Sequence, residues 1–154
     1  MVKEFENLRE DEIQVMLDAP VYVAILIAGA DGNIDKSERK EAINTARSKQ
    51  SRAREQLVDF YKEVSGRFET RFTELIDALP DNVDERNPKI ISELRKLNFI
   101  MPKIDKNFSI KFYASLKDLA KKIAEASGGV LGYLSVSYEE AKLLDLKMIN
   151  DPDK

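Results

Sequence analysis

The chain has no cysteine and no histidine. Without cysteine there is no disulfide, no thiolate nucleophile and no sulfur-ligated zinc or iron–sulfur cluster; without histidine the commonest general base and the usual zinc ligand are missing. Long apolar runs are missing too. The longest, Val21 to Ala30, falls well short of the roughly 20 residues that a membrane-spanning helix needs. The start, Met1 to Glu6, has no basic segment leading into an apolar one, so no signal peptide and a cytoplasmic location are expected.

These absences leave carboxylate, lysine and tyrosine for acid–base work, and oxygen ligands for magnesium, calcium or manganese. What is present fits an ordinary globular protein. The 154 residues suit one domain, and 43 % hydrophobic with 34 % charged residues is apolar enough to fold and charged enough to stay in solution. The net charge of −3 is unevenly spread: residues 1–46 carry ten acids against five bases, and residues 47–76 carry seven bases against five acids. The basic surplus centres on Arg47, Lys49, Arg52 and Arg54, a run of the kind that forms a solvated helix face. The overall acidity and the lack of interleaved aromatics argue against nucleic-acid binding.

Helical periodicity dominates, and no window alternates like a strand. Pro20 reads as the first residue of a helix whose body, Val21 to Ile27, is apolar nearly all round and therefore central. Gly32 is its expected stop, and Asp35, with Glu38 three residues on, reads as the N-cap of a polar second helix. Leu57, Tyr61, Val64, Phe68, Phe72, Leu75 and Leu79 predict a long helix from near Ser51 to Leu79. Pro80 to Pro88 reads as a turn-rich connector before Ile90, Ile91, Leu94 and Leu97 restart the stripe, and Pro102 predicts a break. Phe108, Phe112, Leu116, Leu119 and Ile123 give the next helix, ending at Ser127-Gly128-Gly129. A last helix is expected after Ser137, capped with Glu140 and carrying Leu143, Leu144 and Met148, with a frayed tail beyond Ile149. The expected fold is thus all-α, a compact single-domain bundle of six to eight helices over residues 1–154, with its core at about 10–149. Two helix–loop–helix units, one at Ile27 to Glu38 and one at Ile123 to Glu140, echo each other and would face one another.

The segment Ala28-Gly29-Ala30-Asp31-Gly32-Asn33-Ile34-Asp35-Lys36-Ser37-Glu38 is the candidate site. With Asp31 at the fifth position of a calcium loop, Gly32 falls at the sixth, Asp35 at the ninth and Glu38 at the twelfth, as an EF-hand requires. The first and third positions would be Ile27 and Gly29, which offer no side-chain oxygen. The segment is therefore half a site, which waters or the second loop, through Glu139 or Glu140, would have to complete. Capping alone accounts for Gly32, Asp35 and Glu38. It does not account for Asp31, at a helix carboxyl end where the macrodipole disfavours a negative charge by roughly 0.3–1 kcal/mol. Both readings, caps without metal and a weak Ca²⁺ or Mg²⁺ site, stand at this point.

That segment, together with Leu97-Asn98-Phe99-Ile100-Met101-Pro102-Lys103-Ile104 and with Ile123-Ala124-Glu125-Ala126-Ser127-Gly128-Gly129 followed by Ser137-Tyr138-Glu139-Glu140, resembles the TerB-like, tellurite-resistance-associated family. The resemblance covers most of residues 20–149. It implies a helical bundle, an acidic cluster for a divalent metal, and a role in tellurite or other chemical stress. On that resemblance Asp31, Asp35, Glu38 and Glu140 are the metal ligands; Ser127 stands where the second motif often has an acid.

The expected function is a non-enzymatic, divalent-cation-binding module that recognises a protein partner, with no organic cofactor and no membrane insertion. One alternative is an ion-independent scaffold that uses the apolar stretch Val130 to Leu134, within the loop running to Val136, as its contact. Another is a metal-dependent phosphoester hydrolase, for which the chain offers Lys36, Arg39 and Lys40 beside the acidic loop.

Overall fold

The computed structural model describes residues 2–30, 34, 36–50, 55–127 and 143–154, without the side chains of Glu38, residues 46–50, Glu55 and residues 126–127. Six α-helices run along these segments: α1 (Glu10–Ala28), α2 (Lys36–Gln50), α3 (Val58–Ala78), α4 (Val83–Arg95), the single turn α5 (Leu97–Ile100) and α6 (Lys106–Ser127). Short 3-10 turns at Lys3–Phe5, Glu55–Leu57 and Met101–Lys103 complete the set. The protein is all-helical, with five long helices and no strand among the described residues.

Helix α1 is the central element, packed against α2, α3, α4, α5 and α6. Met16 and the run Val23 to Ile27 are fully buried, as a helix apolar on every face must be. Its start differs from the expectation at Pro20. The helix begins ten residues earlier, at Glu10, and Pro20 lies buried inside it. A proline there leaves the Met16 carbonyl without its helical donor, at roughly 3 kcal/mol. Burying Met16, Leu17 and Val21 on either side of it outweighs that, at about 1.5–3 kcal/mol each.

A second proline departs from its sequence reading in the same way. The connector expected over residues 80–88 closes early, because the Asn82 side chain caps α4 by accepting from the Asp84 N–H at 2.7 Å. Pro88 then sits exposed within α4, while Arg86, Ile90 and Leu94 form the buried face that holds the helix in place. Pro102 lies in the 3-10 turn at the expected break, after which Ile104 is extended. Asp105 caps α6 by accepting from the Phe108 N–H at 2.9 Å.

Helix α3 starts at Val58 rather than near Ser51, and residues 51–54 lie outside the described part. Its stripe, Phe60, Tyr61, Val64, Phe68, Phe72 and Leu75, is buried as its spacing predicts. Phe60 meets Phe5, Phe108 and Phe112 edge to face, with centroids 5.3–6.2 Å apart. Beneath them Tyr61 donates to the Ser115 hydroxyl, because that hydroxyl's own proton goes to the Phe112 carbonyl at 2.7 Å.

Both chain ends join the core. Val2, Phe5 and Leu8 are buried, so the core begins before residue 10. Of the helix expected to carry Leu143, Leu144 and Met148, Leu143 alone is helical among the described residues, and the chain continues in turns with Leu146 at φ 47°. A left-handed leucine costs about 1–2 kcal/mol; its complete burial offsets this. The Tyr113 hydroxyl meets the Asp145 and Leu146 carbonyls at 2.9 and 3.2 Å, and the Asn98 amide clamps Met148 O and Asn150 N at 3.0 and 2.7 Å. The last residues, expected to fray, close a turn with Lys154 N donating to Asp151 O at 3.2 Å.

Two ion pairs tie α1 to its surroundings. Lys103 donates to the Glu12 carboxylate at 2.6 Å, and the other oxygen of Glu12 accepts from the Arg9 N–H at 3.0 Å, helping to cap the start of α1. Further along, Arg71 of α3 grips Asp18 with two bonds of 2.9 and 2.8 Å, and Gln14 adds a third at 2.9 Å.

Candidate functional site

The acidic segment leaves the carboxyl end of α1, and that corner is built around an arginine. Arg86 of α4 is 3 % exposed, and its Nη2 donates to the Gly29 carbonyl at 2.7 Å while Nη1 donates to the Asp81 carbonyl at 3.3 Å. Gly29 closes α1: its N–H donates to Ile25 O at 2.9 Å, and Ala30 donates to Ile27 O at 3.3 Å. The carbonyls at a helix end have no partner within the helix, and a basic side chain both satisfies them and complements the macrodipole.

Gly29 is a glycine because of what approaches it, since its φ of −104° is open to any residue. A Cβ there would lie 2.6 Å from Arg86 Nη2 and 2.8 Å from Ile34 Cγ1. The missing methyl thus admits the guanidinium on one side and the Ile34 side chain on the other. Ile34, in the middle of the acidic segment, packs half-buried against the core. Two described points of the segment, Gly29 and Ile34, are thus held by Arg86 and by the core. Burial holds the Arg86 pKa below the ordinary guanidinium value, with the nearby Asp81 charge acting against it; an arginine so shifted still keeps its proton at neutral pH.

Of the residues picked out by sequence, Asp31, Gly32, Asn33, Asp35 and Glu140 lie outside the described residues, as does the Glu38 side chain. So do the stretch from Val130 to Val136 and residues 51–54 of the basic run. The backbone of Glu38 lies in the first turn of α2, which starts at Lys36, where an N-cap at Asp35 would place its first residue. Among the described residues, no three carboxylates converge as a metal centre would need.

The resolved shifts of the carboxyls and tyrosines favour the charge states that these groups already hold at neutral pH. The Lys103 hydrogen bond draws Glu12 below the usual carboxylate range, and the Arg9 hydrogen bond does the same for Asp11. Burial pushes Tyr22 up to about 12 and raises Tyr61 and Tyr113 as well.

Arg86 and Gly29 are the residues that sequence reasoning missed. The signal was in the spacing: Ile90, Leu94 and Leu97 mark the buried stripe, and one step of four back along it falls on Arg86. A charge at a core position, in a chain with a glycine near a helix end, points to a buried cap. Comparison with protein-family models, with curated proteins and with solved structures returned no match. No helix among the described residues is long and apolar enough to cross a membrane.

Proposed function

We propose that this chain is a cytoplasmic, TerB-like, non-enzymatic interaction module. It presents the acidic loop between α1 and α2 to a protein partner and holds Ca²⁺ or Mg²⁺ weakly there through Asp31, Asp35, Glu38 and Glu140. The family resemblance links such a module to chemical or metal-oxyanion stress. The observation that carries the reading is the Arg86–Gly29 anchor. Burying a guanidinium costs several kcal/mol before its bonds are counted, and a helix end can be satisfied by water at less cost. What the arginine adds is a fixed base for the loop, and a loop held before its partner arrives loses less entropy on binding. A hydrolase is the weaker reading, because no recognisable catalytic spacing supports it.

The same anchor favours a second reading, in which no ion is needed. Arg86 already sets a positive charge at the end of α1, where Asp31 requires one. Thermal melts in Ca²⁺, Mg²⁺ and EDTA separate the two. An ion at about 100 times its dissociation constant adds roughly 2.7 kcal/mol, and Asp31→Ala should abolish that gain. Superimposable melts of wild type and Asp31→Ala under all three conditions would leave the loop as an ion-free recognition element.

A further inference from the structure

We propose that the cleft between α2 and α3 is a binding site for a phosphate monoester dianion. The cleft measures about 430 Å³ and is lined by Lys36, Arg39, Lys40, Ile43 and Asn44 from α2 and Glu69 from α3. This is within the size range of small-ligand sites. The α2 residues recur at intervals of three and four, so they share one helix face, from which Glu41 is turned away. Among the described side chains, that face carries cations without an acid of its own helix. Lys36 and Lys40, four apart, repel each other, an arrangement that an isolated helix disfavours.

Arg39 is half-buried, and its Nε is enclosed with no hydrogen-bond partner in the described structure. A buried donor without an acceptor calls for one. Lys36 and Lys40 are exposed, so the cleft has a planar fork on its wall and two mobile point charges at its rim. The buried Ile43 contributes an apolar patch. A guanidinium fork pairs two oxygens of one anion, and lysines add charge without geometric demand.

The charge selects the ligand class. Among the described lining residues, Lys36, Arg39 and Lys40 stand against one carboxylate, Glu69, an excess of two positive charges. A phosphate monoester carries close to two negative charges near neutral pH and three acceptor oxygens. A lone carboxylate would leave the cluster half compensated. The cleft adjoins the carboxyl-terminal end of the acidic segment at Lys36, and its own lining residues supply the cations.

The test is calorimetric and NMR titration in EDTA, which keeps any loop-bound metal from bridging to the anion. The probes are inorganic phosphate, O-phosphoserine, and a phosphoserine peptide beside its unphosphorylated form. Saturable binding is expected, with amide shifts confined to α2 and α3. Arg39→Gln should weaken it by about tenfold, and Lys40→Gln serves if that variant fails to fold. Glu69→Gln should tighten it severalfold by removing the opposing charge, a gain that a structural role for Glu69 would not produce. A phosphopeptide at least about tenfold tighter than inorganic phosphate identifies a modified side chain of a partner as the source. Free O-phosphoserine or phosphate binding as well as the peptide identifies a small phosphorylated molecule. No saturation with any probe, or affinities unmoved in both Arg39→Gln and Glu69→Gln, would overturn the proposal.

Discussion

Two arginines reach α1 from neighbouring helices and end in different surroundings. Arg71 of α3 meets the carboxylate of Asp18 fork to fork, and those hydrogen bonds raise its pKa above the ordinary guanidinium value. Arg86 of α4 meets the carbonyls of Gly29 and Asp81, and burial lowers its pKa. The first is an ion pair, joined on its exposed side by Glu74, whose carboxylate accepts from Arg71 Nη1 at 3.3 Å. It locks α3 to α1, and the Arg71 charge meets carboxylates directly. The second is a cation lodged against a helix end and next to an acidic loop, where its field reaches beyond the groups that it touches. One residue type thus serves packing in one place and the organisation of a site in the other.

Breaking the first member should cost most. Arg71→Met leaves the Asp18 carboxylate, 5 % exposed, with Gln14 as its remaining donor among the contacts described above. An uncompensated buried charge of this kind destabilises by about 3 kcal/mol, measurable as a lower urea midpoint at unchanged slope. Replacing both partners, Asp18→Asn with Arg71→Met, should recover much of the loss. A cost below about 1 kcal/mol for the single variant would make the pair no more than a surface contact.

Arg86→Met should cost less, about 1–2 kcal/mol, because removing the cation also removes the penalty of burying it. Gly29→Ala should cost about 1–3 kcal/mol by overpacking, since the new methyl meets both Arg86 and Ile34. The double variant should fall short of the sum, because with the guanidinium gone half of the clash is gone. Strict additivity in that cycle would mean that Gly29 and Arg86 do not share the corner as described.

The contrast also explains what the sequence could and could not reveal. Stripes such as Phe60 to Leu75 and Phe108 to Ile123 were legible because burial repeats with the helix period. Pro20 and Pro88 misled, since a proline's cost is local and packing along the whole helix overrides it. Asp18 lies 53 residues from Arg71, and Gly29 lies 57 from Arg86. No local pattern encodes such a pairing; only the helix phase of each charge hints that it points inward. For the acidic loop, the helix start at Lys36 was legible. Its anchor was not, because the anchor comes from another helix.

The smallest effect tests the field around the Arg71 pair through Tyr22. Its pKa is raised from 10.0 to about 12, first by burial and then by the charges of Glu93 and Asp18, with Arg71 acting against them. The folded protein therefore keeps this proton where the unfolded chain has lost it. Stability from Tyr22 is complete below pH 10 and drains away as the pH rises towards about 12. Because the ring is half-exposed, the change is modest. Tyr61 and Tyr113 titrate in both proteins, so the difference between wild type and Tyr22→Phe isolates this one group. Urea midpoints should run parallel up to pH 10 and then diverge, with Tyr22→Phe the less sensitive to alkali. In an Arg71→Met background the divergence should widen, because the charge that favours the phenolate is gone. Parallel midpoints throughout would mean that the hydroxyl stands in solvent, outside the reach of the Asp18–Arg71 pair.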